Sequence, residues 1–200
     1  VNWENYFKRG AGPPAKCLKE GRARVAEDFR SEVAMLHRLK HPHIVVFRGA
    51  CDDLNNLMIV TERMNGGSLE DVLHRAPEAV AWHARGHSVA LHLAYAVHYL
   101  HTLEPPVIHW DIKPANVLLS PDLSLAKLAD VGLACTKSRS SIYARAWTPA
   151  YAAPEVQRKT KASEKADIFS TGMVLIELLT QAKPAALAGA NLHPGASMSE

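Results

Sequence analysis

Three short blocks hold the residues best suited to chemistry. The first, His109-Trp110-Asp111-Ile112-Lys113-Pro114-Ala115-Asn116, follows an apolar Val107-Ile108 and sets a carboxylate, an ammonium and a carboxamide within six residues. A carboxylate can take a proton, and a lysine offsets negative charge developing beside it. The second, Ala129-Asp130-Val131-Gly132-Leu133, places another carboxylate where an apolar run ends. Carboxylate and carboxamide oxygens are the ligands a hard cation takes. The third is Thr148-Pro149-Ala150-Tyr151-Ala152-Ala153-Pro154-Glu155. Each block alone has a plain structural reading: a loop capping its own turns, a strand end, a Pro-nucleated helix start. All three in this order, with 14 residues from Asn116 to Asp130 and 25 from Asp130 to Glu155, leave little room for coincidence.

The elements that must position these blocks follow from periodicity. Glu27 to Lys40 sets Phe29, Val33, Leu36 and Leu39 on one helical face, and His41-Pro42 stops it. Residues 43–50 and 57–62 read as strands joined by a polar turn. Asn65-Gly66-Gly67 breaks the chain, with Ser68 as N-cap of a short helix through His74. A long helix is expected from about Glu78 to His101, closed by Glu104-Pro105-Pro106. Residues 116–120 and 125–130 read as a hairpin around Pro121-Asp122. Residues 131–153 have no sustained period and read as a functional loop. A buried helix is expected over 163–180. The Ala/Pro/Gly/Ser-rich residues 181–200 read as a disordered tail.

Composition narrows the class. Of 200 residues, 48% are hydrophobic and 22% charged, an ordinary globular balance. The net charge of +3 is too small and too evenly spread to propose a nucleic-acid or membrane surface. The longest nearly apolar stretch, residues 168–179, contains Glu177 and is twelve residues long, whereas a membrane span needs about 20. Three cysteines, Cys17, Cys51 and Cys135, are few and far apart, which suggests reduced thiols and a cytoplasmic or nuclear compartment. Oligomeric state is not legible.

With these blocks in place, the sequence resembles a eukaryotic-type protein kinase domain of the Ser/Thr type. HPHIVVFRGAC, TERMNGGSL and KADIFSTGMVLIELL extend the likeness, and its flavour is that of the tyrosine-kinase-like group, Raf-like or plant and algal. The resemblance implies an α+β bilobal fold, with a small β-rich N-lobe carrying one long helix and a mainly helical C-lobe. It places the N-lobe at 1–61, a hinge at 62–67 and part of the C-lobe at 68–180, with the domain incomplete at both ends. It implies ATP and Mg²⁺, and a protein substrate with a Ser/Thr acceptor. Asp111 would orient the acceptor hydroxyl and take its proton, Lys113 would sit beside the transferring phosphate, and Asn116 and Asp130 would hold the metal. Lys16 and Glu32, sixteen residues apart, would pair to hold the α- and β-phosphates, with Lys19 as the alternative partner. The Glu62 carbonyl and Met64 amide would bond adenine, Thr61 would be the gatekeeper and Leu118 the apolar floor, leaving Arg63 to point outward.

The pattern breaks in places. No G-x-G-x-x-G is present, and Gly10-Ala11-Gly12 reads as a turn between strands. Trp110 stands where the family usually has Arg, Val131 where it has Phe, and Trp147 where Gly precedes Thr-Pro. The competing reading is therefore a catalytically impaired kinase-fold fragment or pseudokinase that acts as a binding module. A phosphate on residues 130–155 would normally pair with an Arg beside the catalytic Asp. Trp110 offers one neutral N–H, so activity is expected not to depend on phosphorylation read through residue 110.

Overall fold

A computed structural model of the chain describes residues 20–53, 56–131, 135–136, 148–158, 160 and 163–184. Helix α1 (Glu20–Arg38) starts seven residues before the expected Glu27. Glu, Arg and Ala in EGRARVA favour helix, and one Gly among them costs only about 1 kcal/mol. It ends ahead of His41-Pro42, as Pro requires. Leu36 and Leu39 are buried beneath it, while Phe29 and Val33 are half-buried.

Strands β1 (Phe47–Cys51) and β2 (Met58–Thr61) pair antiparallel, from Phe47 opposite Thr61 to Cys51 opposite Met58. The first strand thus begins four residues later than the expected residue 43. The intervening backbone bonds elsewhere: Val45 N donates to Leu128 O (3.0 Å) and Leu128 N donates to His43 O (2.8 Å). Residues 43–45 thus lie beside β6, with Ile44 bridged to Leu128, and pairing toward β2 begins only at Val46, whose carbonyl accepts from Glu62 N (2.8 Å).

After Asn65-Gly66, β3 (Gly67–Ser68) leads into α2 (Leu69–Arg75). Ser68 caps α2 as expected: Asp71 N donates to Ser68 Oγ (3.1 Å), and Ser68 N donates back to Asp71 Oδ2 (2.9 Å). The glycines are required here. Gly67 has φ 83°, and a Cβ on Gly66 would lie 2.2 Å from Ser120 O.

The single long helix expected from Glu78 is divided. A 3₁₀ turn (Pro77–Val80) and a wide π turn (Trp82–Gly86) precede α3 (His87–Thr102). Gly86 explains the break. Its N–H bonds Ala81 O five residues back (3.0 Å), and a Cβ there would meet Val80 O at 2.6 Å.

Strand β4 (Val107–Ile108) pairs with β7 (Cys135–Thr136). The expected hairpin is present as β5 (Val117–Leu119) and β6 (Ala126–Leu128), with sheet order β3-β5-β6. Helix α4 (Pro154–Gln157) begins at the last two residues of the third block, and α5 (Lys165–Thr180) is the buried helix expected over 163–180. The main core joins Val89, Leu93 and Leu100 of α3 to Leu69, Leu119, Leu128, Val174 and Leu178. Each such fully buried side chain contributes roughly 1.5–3 kcal/mol. The architecture is α+β, a small helix-and-strand part followed by a mainly helical part. Among the described residues, no helix is long and apolar enough to cross a membrane.

Candidate active site

Asp167, in the first turn of α5 and 1% exposed, organises the loop that carries the first block. Its Oδ2 accepts from His109 N (2.8 Å) and bonds His101 Nε2 (2.8 Å), while Oδ1 accepts from Trp110 N (2.9 Å). Those bonds hold Trp110 at φ 71°, a left-handed conformation that costs a bulky residue roughly 1–3 kcal/mol. The Trp110 indole is buried in a second apolar cluster with Ile108, Ala152, Ala153, Val156 and Ala166. Its Nε1–H meets no hydrogen-bond partner among the described residues.

His109 connects this loop to the second block. Asp111 N donates to His109 Nδ1 (3.3 Å), which leaves the ring proton on Nε2, 2.8 Å from Ala129 O. The imidazole therefore fixes the residue beside Asp130 against the loop of Asp111.

The structure brings Asp111, Lys113 and Asn116 together, and adds Thr148 from the third block. Lys113 Nζ lies 2.5 Å from Asp111 Oδ2 and donates to Thr148 Oγ1 (2.9 Å). The Thr148 hydroxyl donates to Asp111 Oδ1 (2.9 Å), closing a ring of three polar groups. Asn116 Nδ2 donates to Asp111 O (2.8 Å) and Oδ2 (3.2 Å), and its Oδ1 has no hydrogen-bond partner among the described residues. Asp111 is 8% exposed, which shields this charge pair from screening by water and salt.

Asp130 follows β6 with φ 57°, a left-handed position that Asp tolerates. Its side chain is exposed and makes no bond among the described residues. Carboxylate and carboxamide oxygens are the kind of ligand Mg²⁺ takes.

At the other end of the cleft, Thr61 closes β2, and Glu62 and Met64 are half-buried while Arg63 is exposed. Neither the Glu62 carbonyl nor the Met64 amide bonds backbone among the described residues. The Glu62 carboxylate turns inward, accepting from Val46 N (2.8 Å) and Lys127 Nζ (2.5 Å). Burial opposes its charge, but the Lys127 and Val46 hydrogen bonds outweigh that and hold the carboxyl below its usual range. Leu118 is half-buried on β5. Glu32 is half-buried on α1, whereas Lys16, Lys19 and Gly10-Ala11-Gly12 lie outside the described residues. Trp147 lies outside them too.

Three contributors escaped sequence reasoning: Asp167 as anchor, the His109 bridge, and the hydroxyl of Thr148. KADIF and the Thr ahead of Ala153-Pro154-Glu155 were visible signals, but neither reveals a contact across 57 or 37 residues. The third block is itself anchored by Tyr151, whose hydroxyl donates to Glu177 Oε2 (2.6 Å) and whose carbonyl accepts from Ser170 Oγ (2.8 Å). Burial and the Glu177 contact push the Tyr151 hydroxyl far above its usual range.

Comparison with known proteins gives the family. The sequence profile described as Protein kinase domain matches residues 13–194. The chain is 41% identical over 158 residues to the serine/threonine-protein kinase/receptor R818 of Acanthamoeba polyphaga mimivirus, covering 78% of this chain and 9% of that protein. It is 38% identical over 170 residues to the serine/threonine-protein kinase CTR1 of Arabidopsis thaliana, covering 84% of this chain and 20% of the relative. U-box domain-containing protein 35 of Arabidopsis thaliana is 37% identical over 182 residues, covering 85% of this chain and 21% of the relative. The chain thus spans about a fifth or less of these relatives' lengths. With the profile matching most of its length, the chain belongs to the protein kinase domain family.

Proposed function

We propose that this domain transfers the γ-phosphoryl group of ATP to Ser or Thr hydroxyls of protein substrates. The observation that carries the reading is the closed cluster of Asp111, Lys113, Asn116 and Thr148. Phosphoryl transfer asks little covalent chemistry of a protein; it needs alignment and charge compensation. The acceptor hydroxyl oxygen forms its bond to the γ-phosphorus as the bond to the bridging oxygen of ADP breaks. Asp111 orients that hydroxyl and receives its proton. Lys113, already paired with Asp111, compensates charge on the phosphoryl oxygens.

Asn116 and Asp130 would hold Mg²⁺, which neutralises phosphate charge when bound. Lys16 paired with Glu32 would anchor the α- and β-phosphates. The uncommitted Glu62 carbonyl and Met64 amide would take the adenine edge, with Thr61 and Leu118 as its apolar walls. Thr148 in the cluster, and the names of the relatives, support a Ser/Thr rather than a Tyr acceptor.

The test is transfer of labelled γ-phosphate from ATP to a Ser/Thr peptide, with and without Mg²⁺, alongside Asp130→Asn. Mg²⁺-dependent label on Ser or Thr, lost in Asp130→Asn, is expected. Mg·ATP binding with no transfer under any condition would leave the non-catalytic binding module as the correct reading.

A further inference from the structure

The strand that leads to Asp130 is fastened along its outer edge by backbone at Leu128 and by side chains at Ala126. On that edge of β6, Leu128 is bonded by the backbone of His43 and Val45. Ala126, two residues earlier, faces the same way and has no strand beside it on that edge among the described residues. Its N–H donates to His92 Nδ1 (3.2 Å), and its carbonyl is bonded to His43 Nδ1 (3.1 Å). The two imidazoles stack at 4.0 Å between centroids and 15° between planes. His92 belongs to α3 and His43 to the connection between α1 and β1, so three elements meet on one residue.

Hydrogen-bond direction fixes the proton on each ring. His92 Nδ1 accepts an amide proton and must be bare, so His92 is neutral and protonated on Nε2. His41 is fixed the same way, because His43 N donates to His41 Nδ1 (3.2 Å). His43 Nδ1 must carry its proton to bond a carbonyl. It can do so in either charge state. A proton added to His92 Nδ1 would turn the acceptor into a donor facing the Ala126 N–H and set a cation on the His43 face.

We infer that His43 and His92 are positioning residues that hold β6, and through it Asp130, and that this clip opens when His92 takes a second proton. The inference rests on the proposed role of Asp130 in metal binding. The groups around the clip offer a second charge nothing to pair with. From the α1–β1 connection come His43 and His41; along α3 lie Tyr95, 6.0 Å from the His43 ring, and Tyr99, stacked on His41 at 4.8 Å. From β6, Lys127 is engaged by Glu62. No carboxylate bonds any of the three imidazoles among the described residues. Burial, and then the neighbouring His43, push both His92 and His41 below the usual imidazole range. The sign follows: a depressed folded value keeps the clip closed above about pH 6.5 and weakens it as pH falls through the folded value.

The experiment compares the parent chain with His92→Asn, whose Oδ1 can replace the acceptor and cannot titrate, and His92→Leu, which removes it. Two quantities are read from pH 7.5 to 5.5: Ala126 amide protection, corrected for intrinsic exchange, and Mg·ATP affinity. The parent should lose Ala126 protection and about threefold or more in affinity on acidification. His92→Asn should hold both nearly level, and His92→Leu should lack the protection at pH 7.5. Equal acid responses in the parent and His92→Asn would overturn the inference. If the parent binds no Mg·ATP at any pH, the nucleotide reading fails, while Ala126 protection still decides the clip. Should the variants not fold, ¹⁵N shifts of the parent imidazoles decide it. An unprotonated Nδ1 on His92 at pH 7.5 that titrates together with Ala126 protection is expected; a protonated Nδ1 would refute the clip.

Discussion

Asp167→Asn tests how the loop of Asp111 is held. The carboxylate serves three partners with two oxygens, Oδ2 for His109 N and His101 and Oδ1 for Trp110 N. An amide has one acceptor oxygen. If that oxygen stays with His109 and His101, the NH₂ faces the Trp110 N–H, donor against donor, in a site 1% exposed. A buried donor left unsatisfied costs roughly 1–3 kcal/mol, and replacing charge-assisted bonds by neutral ones adds about 1–2 kcal/mol. The sum, about 2–5 kcal/mol, is a large part of a domain's usual stability. With a urea slope of about 2 kcal/mol/M, the unfolding midpoint should fall by roughly 1–2.5 M. Because Trp110 is held at φ 71° by these bonds, kcat should fall more than ATP affinity at temperatures where the variant is folded. A midpoint within about 0.3 M of the parent would refute the account of the anchor.

Two other consequences can be measured. Trp110 is packed among Ala152, Ala153, Val156 and Ala166, so the third block is docked by apolar contact rather than by a phosphate–Arg pair; phosphatase-treated and phosphorylated protein should transfer phosphate at similar rates. A large phosphorylation-dependent gain in the parent would contradict this, whereas a gain confined to Trp110→Arg would fit. Tyr151→Phe should cost roughly 1–3 kcal/mol, because it removes the hydroxyl donor to Glu177, which is 3% exposed. Burial already raises the Glu177 carboxyl despite that donor, so the folded state disfavours its charged form and loses stability as pH rises through the folded value. Urea unfolding should therefore show a larger deficit in Tyr151→Phe at pH 8 than at pH 5; a deficit independent of pH would contradict the pairing.

What could be read from sequence was local in origin. The Ser68 cap needs only Asp71 three residues on, the β5–β6 hairpin turns on Pro121-Asp122, and α5 shows as one apolar run. The break at Gly86 was missed because Ala, Leu and His on either side favour one continuous helix, and only the approach of Val80 O reveals why the chain widens there. Residues 43–46 read as strand, and in part they pair, but with β6 across the cleft. The order of the three blocks pointed to Asp111, Lys113, Asn116 and Asp130, and the fold brings the first three into contact. The contacts that fix them were not legible. Asp167 reaches Trp110 across 57 residues, and Thr148 reaches Asp111 across 37. Nothing local joins His43 to His92; the two meet on Ala126 of β6.

In the proposed function, Asp111 receives the acceptor proton rather than merely capping its loop. The most direct test is Asp111→Ala, read in parallel for Mg·ATP binding and for phosphate transfer to a Ser/Thr peptide. Binding should stay within about threefold of the parent, because the proposed nucleotide contacts lie elsewhere, while transfer falls by about 10²-fold or more. Transfer within about tenfold of the parent, a barrier change of only about 1.4 kcal/mol, would contradict the assignment.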